Sequence, residues 1–291
     1  MAKKNTPPTG PVYEVQKTSP VFKVVAYIFL GVWTIVNLFP IYWMFTFSLK
    51  NNDEIFGDNV AGLPQHWLWS NYTSAMNTGH MLRYFINSII VSGATIAITI
   101  VAALMATYAL SRFVWKGRKA MNKFFMLGIT IPIHAALLPI YLTLSRFHLL
   151  NSYVALIIPY SAFSLAMGIL IFTGFMDEIP KELDESAKID GCGVWGTFFR
   201  IIFPLMRNAM STVGIYTFLQ CWNELMFANI FNTGEKFKTL PVGIQALSGQ
   251  YTTEWGPIGA ALVLATFPTL VVYVFLSKRI QASFIAGAVK G

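Results

Sequence analysis

Apolar residues fall into six long runs along this chain, with the polar residues gathered between them. A helix needs about 20 predominantly apolar residues to cross the hydrocarbon layer of a bilayer. The runs over 24–49, 85–110, 124–144, 154–176, 209–231 and 256–276 meet that length, so the pattern predicts six transmembrane helices. The runs are not uniformly greasy. Within 85–110, Ser92, Thr95, Thr99, Ala102, Ala103 and Ala106 recur at helical spacing, and such small residues let helix backbones approach closely. Packing within the chain and contact with another subunit both fit that stripe. Pro40, Pro132, Pro139, Pro159 and Pro268 interrupt the apolar runs. Broken helices are tolerated in lipid against neighbouring helices or a cavity.

Composition agrees with the pattern. Of the 291 residues, 55% are hydrophobic and 12% charged, against about 25% charged in soluble domains. A water-soluble fold and a disordered chain are both excluded. The net charge of +8 would suggest nucleic acid in a soluble protein. Here it sorts by side. With the N-terminus inside, Lys50, Arg83, Arg146, Lys236 and Lys238 fall outside, and the other sixteen of the 21 basic residues fall inside. That bias predicts an N-in, C-in topology and requires no nucleic-acid partner. The first run starts late, exceeds the apolar core of a signal peptide and has no small-residue cleavage site before Asn51, so it reads as an uncleaved span. Residues 1–20 are proline-bearing without apolar period and read as a flexible cytoplasmic tail; 21–291 read as one transmembrane domain. Cys192 and Cys221 make neither a disulfide framework nor a zinc spacing.

The energy source is the next question. No G-x-x-x-x-G-K-[ST] is present to cradle nucleotide phosphates. No H-E-x-x-H is present, and His66, His80, His134 and His148 lie far apart, so no metal site and no catalytic residue is expected. Glu224 is the only acid well inside an apolar run, which leaves an ion-coupled carrier as an alternative.

The richest loop is 177–205, DEIPKELDESAKIDGCGVWGTFFRIIFPL. Asp177 and Glu178 before Pro180 read as a helix start. Lys181 to Asp190 has no breaker, Leu183, Ala187 and Asp190 share a face beside Ser186, and Gly191 and Gly193 stop the helix. A short amphipathic helix between spans suits docking in a groove of a cytoplasmic partner. Gly191, Gly193 and Gly196 form a G-x-G-x-x-G, but it follows a helix instead of a strand, and the next acid, Glu224, lies in a span. It is not a dinucleotide site.

The loop resembles the EAA loop of binding-protein-dependent ABC importer permeases: E-A-A, three residues, G, nine residues, I-x-L-P. Here it reads Glu185-Ser186-Ala187, then Gly191, then Ile201-x-Phe203-Pro204, with Asp190 before the glycine. Ser186 and Phe203 depart from the pattern and keep size class or apolarity. Trp222-Asn223-Glu224, Leu240-Pro241-Val242-Gly243, Trp255-Gly256 and the terminal Gly287-Ala288-Val289-Lys290-Gly291 are similar to motifs of the carbohydrate-uptake branch, in particular its MalG-like members, as are Asn71-Tyr72 and Asn87-Ser88.

The resemblance implies an all-α integral membrane protein, the transmembrane domain of a type I ABC importer, in the bacterial plasma (inner) membrane. It implies a permease subunit that is not an enzyme, holds no cofactor, and leaves ATP–Mg to separate subunits. The partners would be a second homologous permease, two ATP-binding subunits and an extracellular solute-binding protein. The cargo would be a sugar, di- or oligosaccharide, or alternatively a glycerol phosphate ester. Glu185, Ser186, Ala187, Asp190 and Gly191 would form the coupling helix gripped by the ATPase. Asn223 and Glu224 would lie near the substrate path, with helix–helix hydrogen bonding an equal alternative for Glu224. Trp67, Trp69 and Tyr72 are expected in an interfacial belt, and the 232–255 loop, with Lys236, Lys238 and Tyr251, is expected to meet the binding protein.

Overall fold

The computed structural model describes residues 19–77, 80–248 and 253–288, with side chains up to Phe275, and every regular element among them is helical. The tail expected over 1–20 lies outside the described residues except for Ser19 and Pro20. Tyr251, the side chains of Lys278 and Arg279, and Val289-Lys290-Gly291 lie outside as well.

The chain divides into two units, 1–44 and 45–291. The first consists of most of helix α1, Pro20–Phe47. Its 28 residues make a rod of about 42 Å at 1.5 Å per residue. Its polar side chains turn back on their own helix: Thr34 Oγ1 donates to Leu30 O and Asn37 Nδ2 to Trp33 O, each at 2.7 Å. That back-bonding satisfies them without water.

The second unit follows as α2 (Asn52–Phe56), α3 (Ser70–Asn77), α4 (Met81–Arg112), α5 (Arg118–Thr130), α6 (Leu137–Arg146), α7 (Val154–Met176), α8 (Glu182–Ile189), α9 (Val194–Thr197), a π-helical turn over Phe198–Ile202, α10 (Phe203–Leu205), α11 (Arg207–Trp222), α12 (Met226–Phe231), α13 (Leu240–Ala246) and α14 (Trp255–Ala288). Its spine is α4, packed along α7 and α11. The small-residue stripe makes that packing: Ser92, Thr95, Thr99 and Ala103 are all buried within the chain. A Cβ added at Gly168 of α7 would stand 3.0 Å from the Ala103 Cβ, so the two backbones approach as closely as these side chains permit.

Among the described residues four helices are long and apolar enough to cross a membrane: α1, α4, α7 and the 255–275 part of α14. The other two predicted spans are not continuous helices. The run 124–144 bends by 95° between α5 and the helical stretch Ile133–Arg146. Pro132 is the cause. It lacks an N–H and pushes the preceding residue out of the helical region, and Ile131 is extended at φ −76°, ψ 116°. The run 209–231 breaks at Asn223–Leu225 without any proline. Pro40, Pro159 and Pro268 are absorbed inside their helices.

Candidate functional site

The acids before Pro180 do not open a helix. The Asp177 N–H donates to Thr173 O at 3.0 Å, Glu178 to Phe175 O at 3.2 Å and Ile179 to Met176 O at 3.2 Å. They close α7, because Pro180 has no N–H to continue and disfavours a helical Ile179. Helix α8 starts at Glu182, and its own acids Glu182, Asp184 and Glu185 occupy the first turn, the favourable end of the helix dipole. It ends in a Schellman motif. Gly191 N–H donates to Lys188 O at 3.1 Å, Cys192 N–H to Ala187 O at 2.8 Å, and Gly191 sits at φ +79°. A Cβ at Gly191 would meet nothing within 4 Å. The chain itself therefore demands glycine for its backbone angle and not for space.

The buried side of α8 differs from the predicted face. Asp184 and Ala187 turn inward, whereas Leu183 and Asp190 are exposed. Asp184 pairs with Arg112 at the end of α4, Oδ2 to Nε 3.2 Å, and Tyr108 donates its hydroxyl to Asp184 Oδ1 at 3.0 Å. The Arg112 Nη2 also donates to Ile179 O at 2.7 Å and Met176 O at 3.3 Å. One guanidinium thus ties the last turn of α7 and the first turn of α8 to α4. On the other side Glu185 and Ser186 are exposed, Ile189 is 86% exposed, and Val194 and Trp195 after the turn are exposed as well. An isoleucine in water beside ionic residues is a contact waiting for a partner. The chain then passes through the π turn, in which Phe203 N–H bonds Phe198 O. Phe198 and Ile202 pack into the core around Tyr108, while Trp195 and Phe199 stack outward with centroids 6.1 Å apart.

A cavity of about 680 Å³ opens where the two broken spans face each other. Its wall includes His134, Tyr160, Tyr216, Gln220, Asn223 and Glu224. Glu224 sits at the break, and its carboxylate caps α12: Oε1 accepts Phe227 N–H at 2.9 Å and Oε2 accepts Ala228 N–H at 3.2 Å. Tyr160 also donates its hydroxyl to Oε2. Glu224 thus makes a helix–helix hydrogen bond inside the chain while also lining the cavity. Asn223, also in the cavity wall, donates its amide to Leu219 O at 2.9 Å. No sequence signal other than the acid itself marks Tyr160 and the α12 amides as its partners.

The motifs at the opposite end from α8 act as staples. Asn87 donates to Lys236 O and Lys238 O at 3.0 and 2.8 Å and accepts from Tyr153, and Ser88 Oγ accepts Leu240 N–H at 2.9 Å. Asn71 donates to Ser48 O and Lys50 O, and a Cβ on Gly256 would stand 2.4 Å from both its amide and Lys50 O. A Cβ on Gly243 would fall 2.0 Å from the Tyr84 ring, whose hydroxyl donates to Glu235. Lys238 pairs with Glu235, so of the two lysines expected at the binding-protein surface it is already engaged. Glu54 accepts Gln65 N–H at 2.9 Å and Asn59 Nδ2 at 3.0 Å. Burial pushes its carboxyl up, but the N–H donors of Gln65, Asn59 and His66 and the Lys50 ammonium outweigh it and hold it below the ordinary value. Trp67 and Trp69 stack with centroids 6.4 Å apart and remain exposed.

Among the described residues no cluster of His, Cys, Asp or Glu is arranged to hold a metal ion. A bundle of long apolar helices with a pinned surface helix at one end and an open cavity between its broken spans is the architecture of a membrane transport component. Residues 96–285 match the family of binding-protein-dependent transport system inner membrane components, and the chain belongs to that family, whose members are multi-pass proteins of the bacterial inner membrane. It is 36% identical over 265 residues, 91% of this chain and 96% of the other, to a putative ABC transporter permease protein ORF2 of Caldicellulosiruptor sp. (strain Rt8B.4). It is 31% identical, over 91% of this chain and 88% of the other, to the diacetylchitobiose uptake system permease protein NgcG of Streptomyces coelicolor. The fold is similar, with TM-score 0.79 and 19% identity over 89% of this chain and 96% of the other, to a chain of a bacterial ABC transporter involved in import of the acidic polysaccharide alginate.

Proposed function

We propose that this chain is one of two permease subunits of an ATP-driven sugar importer. It spans the membrane six times with both ends inside, counting the bent and the broken segments as one span each, and supplies half of the translocation path. The observation that carries this reading is α8: Asp184 and Arg112 anchor its inner side, and its outer side offers Glu185, Ser186 and Ile189 to a partner. An ATP-binding subunit gripping that side would transmit its closure through Arg112 directly into α4 and α7. Gly191 and Asp190 shape the exit, and Ala187 packs inward, so it acts through the seating of the helix. A second permease completes the path, and an extracellular binding protein delivers the cargo. The relationship to a diacetylchitobiose permease and the carbohydrate-branch motifs support a di- or oligosaccharide. The cavity agrees in its chemistry, with tyrosine rings beside amide side chains.

The test is crosslinking in the assembled importer. Single cysteines at Glu185→Cys and Ser186→Cys are expected to crosslink to the ATP-binding subunit, in a pattern that changes when nucleotide is bound. Uptake by an importer whose α8 cysteines never reach an ATP-binding subunit would refute the coupling role. Competition of uptake by a panel of disaccharides against a glycerol phosphate ester decides the cargo class.

A further inference from the structure

The α4–α5 turn concentrates charge that nothing in the fold uses. Lys116, Arg118, Lys119 and Lys123 follow one another within eight residues, and no Asp or Glu occurs between Asp58 and Asp177. Arg112, just before them, is paired with Asp184. Among the described residues these four cations have no hydrogen-bond or ion-pair partner from their side chains. Three of them lie in the first two turns of α5, the positive end of that helix, where cations lower helix stability. They are not there for the fold.

Exposed apolar side chains accompany them. Val114 is 96% exposed at the tip of the turn. Trp115 is exposed beside it, its indole N–H bonded to Ala109 O at 3.2 Å, and Gly117 at φ +94° reverses the chain beneath the ring. No residue of α5 is buried. Along α5, Lys119, Lys123 and Leu127 are spaced by four, so they share a face, and exposed Phe124 flanks it. From Lys119 to Leu127 is about 12 Å of helix. One helix face therefore passes from cationic to apolar over the distance from a lipid headgroup to its acyl chains, and Trp115 precedes its cationic end.

We infer that the α4–α5 turn and the first two turns of α5 bind anionic phospholipid headgroups of the leaflet they face. The ammonium and guanidinium groups meet the phosphate, Val114 and Trp115 enter the interface, and Phe124 and Leu127 lie along the acyl chains. Charge complementarity chooses this occupant over zwitterionic lipid. The inference rests on the membrane placement of α5 and is independent of the importer reading.

The test uses the full-length protein in nanodiscs made from an equimolar mixture of phosphatidylglycerol and phosphatidylcholine, with bound lipid read by native mass spectrometry. Phosphatidylglycerol is expected to be enriched over phosphatidylcholine, and the enrichment to weaken as salt is raised. The triple variant Lys116→Gln/Lys119→Gln/Lys123→Gln changes only partnerless side chains. It is expected to lose the enrichment by at least tenfold, since each surface cation contributes about fivefold. Arg146→Gln, a single-charge change on the other predicted side of the membrane, is the control and is expected to leave it unchanged. Equal retention of the two lipids by the unaltered protein overturns the inference, as does an equal loss in the control. Undiminished phosphatidylglycerol binding in the triple variant, together with loss of an associated ATP-binding subunit, overturns it in favour of an acidic protein surface.

Discussion

Asp184→Asn separates the seating of α8 from its composition. The side chains of Arg112 and Asp184 are 6% and 12% exposed, and removing one partner of a buried ion pair costs about 3–5 kcal/mol because the other charge stays behind. Asn keeps an oxygen for the Tyr108 hydroxyl but turns an N–H₂ or a neutral oxygen toward the guanidinium. The lower end of that range, about 3 kcal/mol, fits a pair in which Arg112 retains its bonds to Ile179 O and Met176 O. If that energy holds α8 down, local opening becomes about a hundredfold more frequent at 1.36 kcal/mol per decade. Hydrogen exchange reads it directly. The amides of 185–190 are expected to exchange about two decades faster in the variant, with those in the centre of α7 unchanged. Replacing both partners, Asp184→Leu with Arg112→Met, removes the stranded charge and is expected to recover most of the protection. Unchanged exchange in α8, or uniform acceleration along all helices, would refute the argument that this pair seats the helix.

Gly191→Val is expected to leave assembly intact and to uncouple uptake from ATP hydrolysis, since a β-branched residue resists φ +79°; retained sugar-stimulated hydrolysis with normal uptake would count against it. Glu224→Gln keeps one acceptor for the two α12 amides and Tyr160, so a loss of about 1 kcal/mol in thermal stability with little change in apparent sugar affinity is expected; a large affinity change would mean direct contact with cargo. Gly243→Ala drives a methyl into the Tyr84 ring and is expected to cost about 1–3 kcal/mol in unfolding experiments, with partial recovery on shortening Tyr84 to Leu. Because the Glu54 carboxyl is held below its ordinary value, its contribution is complete above about pH 4.3, the unfolded value, and is lost as pH falls through the depressed one. Protection over 51–66, taken relative to the intrinsic amide exchange rate at each pH, is therefore expected to fall in acid, and Glu54→Gln to abolish that fall.

The apolar runs were sufficient to locate α1, α4, α7 and α14, because length and hydropathy alone set a straight span, and 154–176 coincides with α7 from end to end. They could not reveal the breaks. Pro132 and Pro159 look alike as letters, yet one bends its helix by 95° and the other is carried inside; the surrounding packing decides. The break at Asn223–Leu225 has no breaker residue at all. Periodicity found α8 but mistook its inward face, because Asp184 reads as a surface acid until Arg112, 72 positions away in the chain, is brought beside it. The motifs Asn71, Asn87-Ser88, Leu240 and Gly243 were legible as a family pattern, and their staple geometry became legible only with the fold.

The two oxygens of Glu224 have a bearing on how such a protein can be powered. A carrier driven by a proton gradient needs a carboxylate that loads and unloads its proton freely as the protein cycles. Here the acid in the interrupted span holds the opening amides of α12 and a tyrosine hydroxyl. The carboxylate that invites comparison with a proton relay thus serves the architecture of the cavity wall.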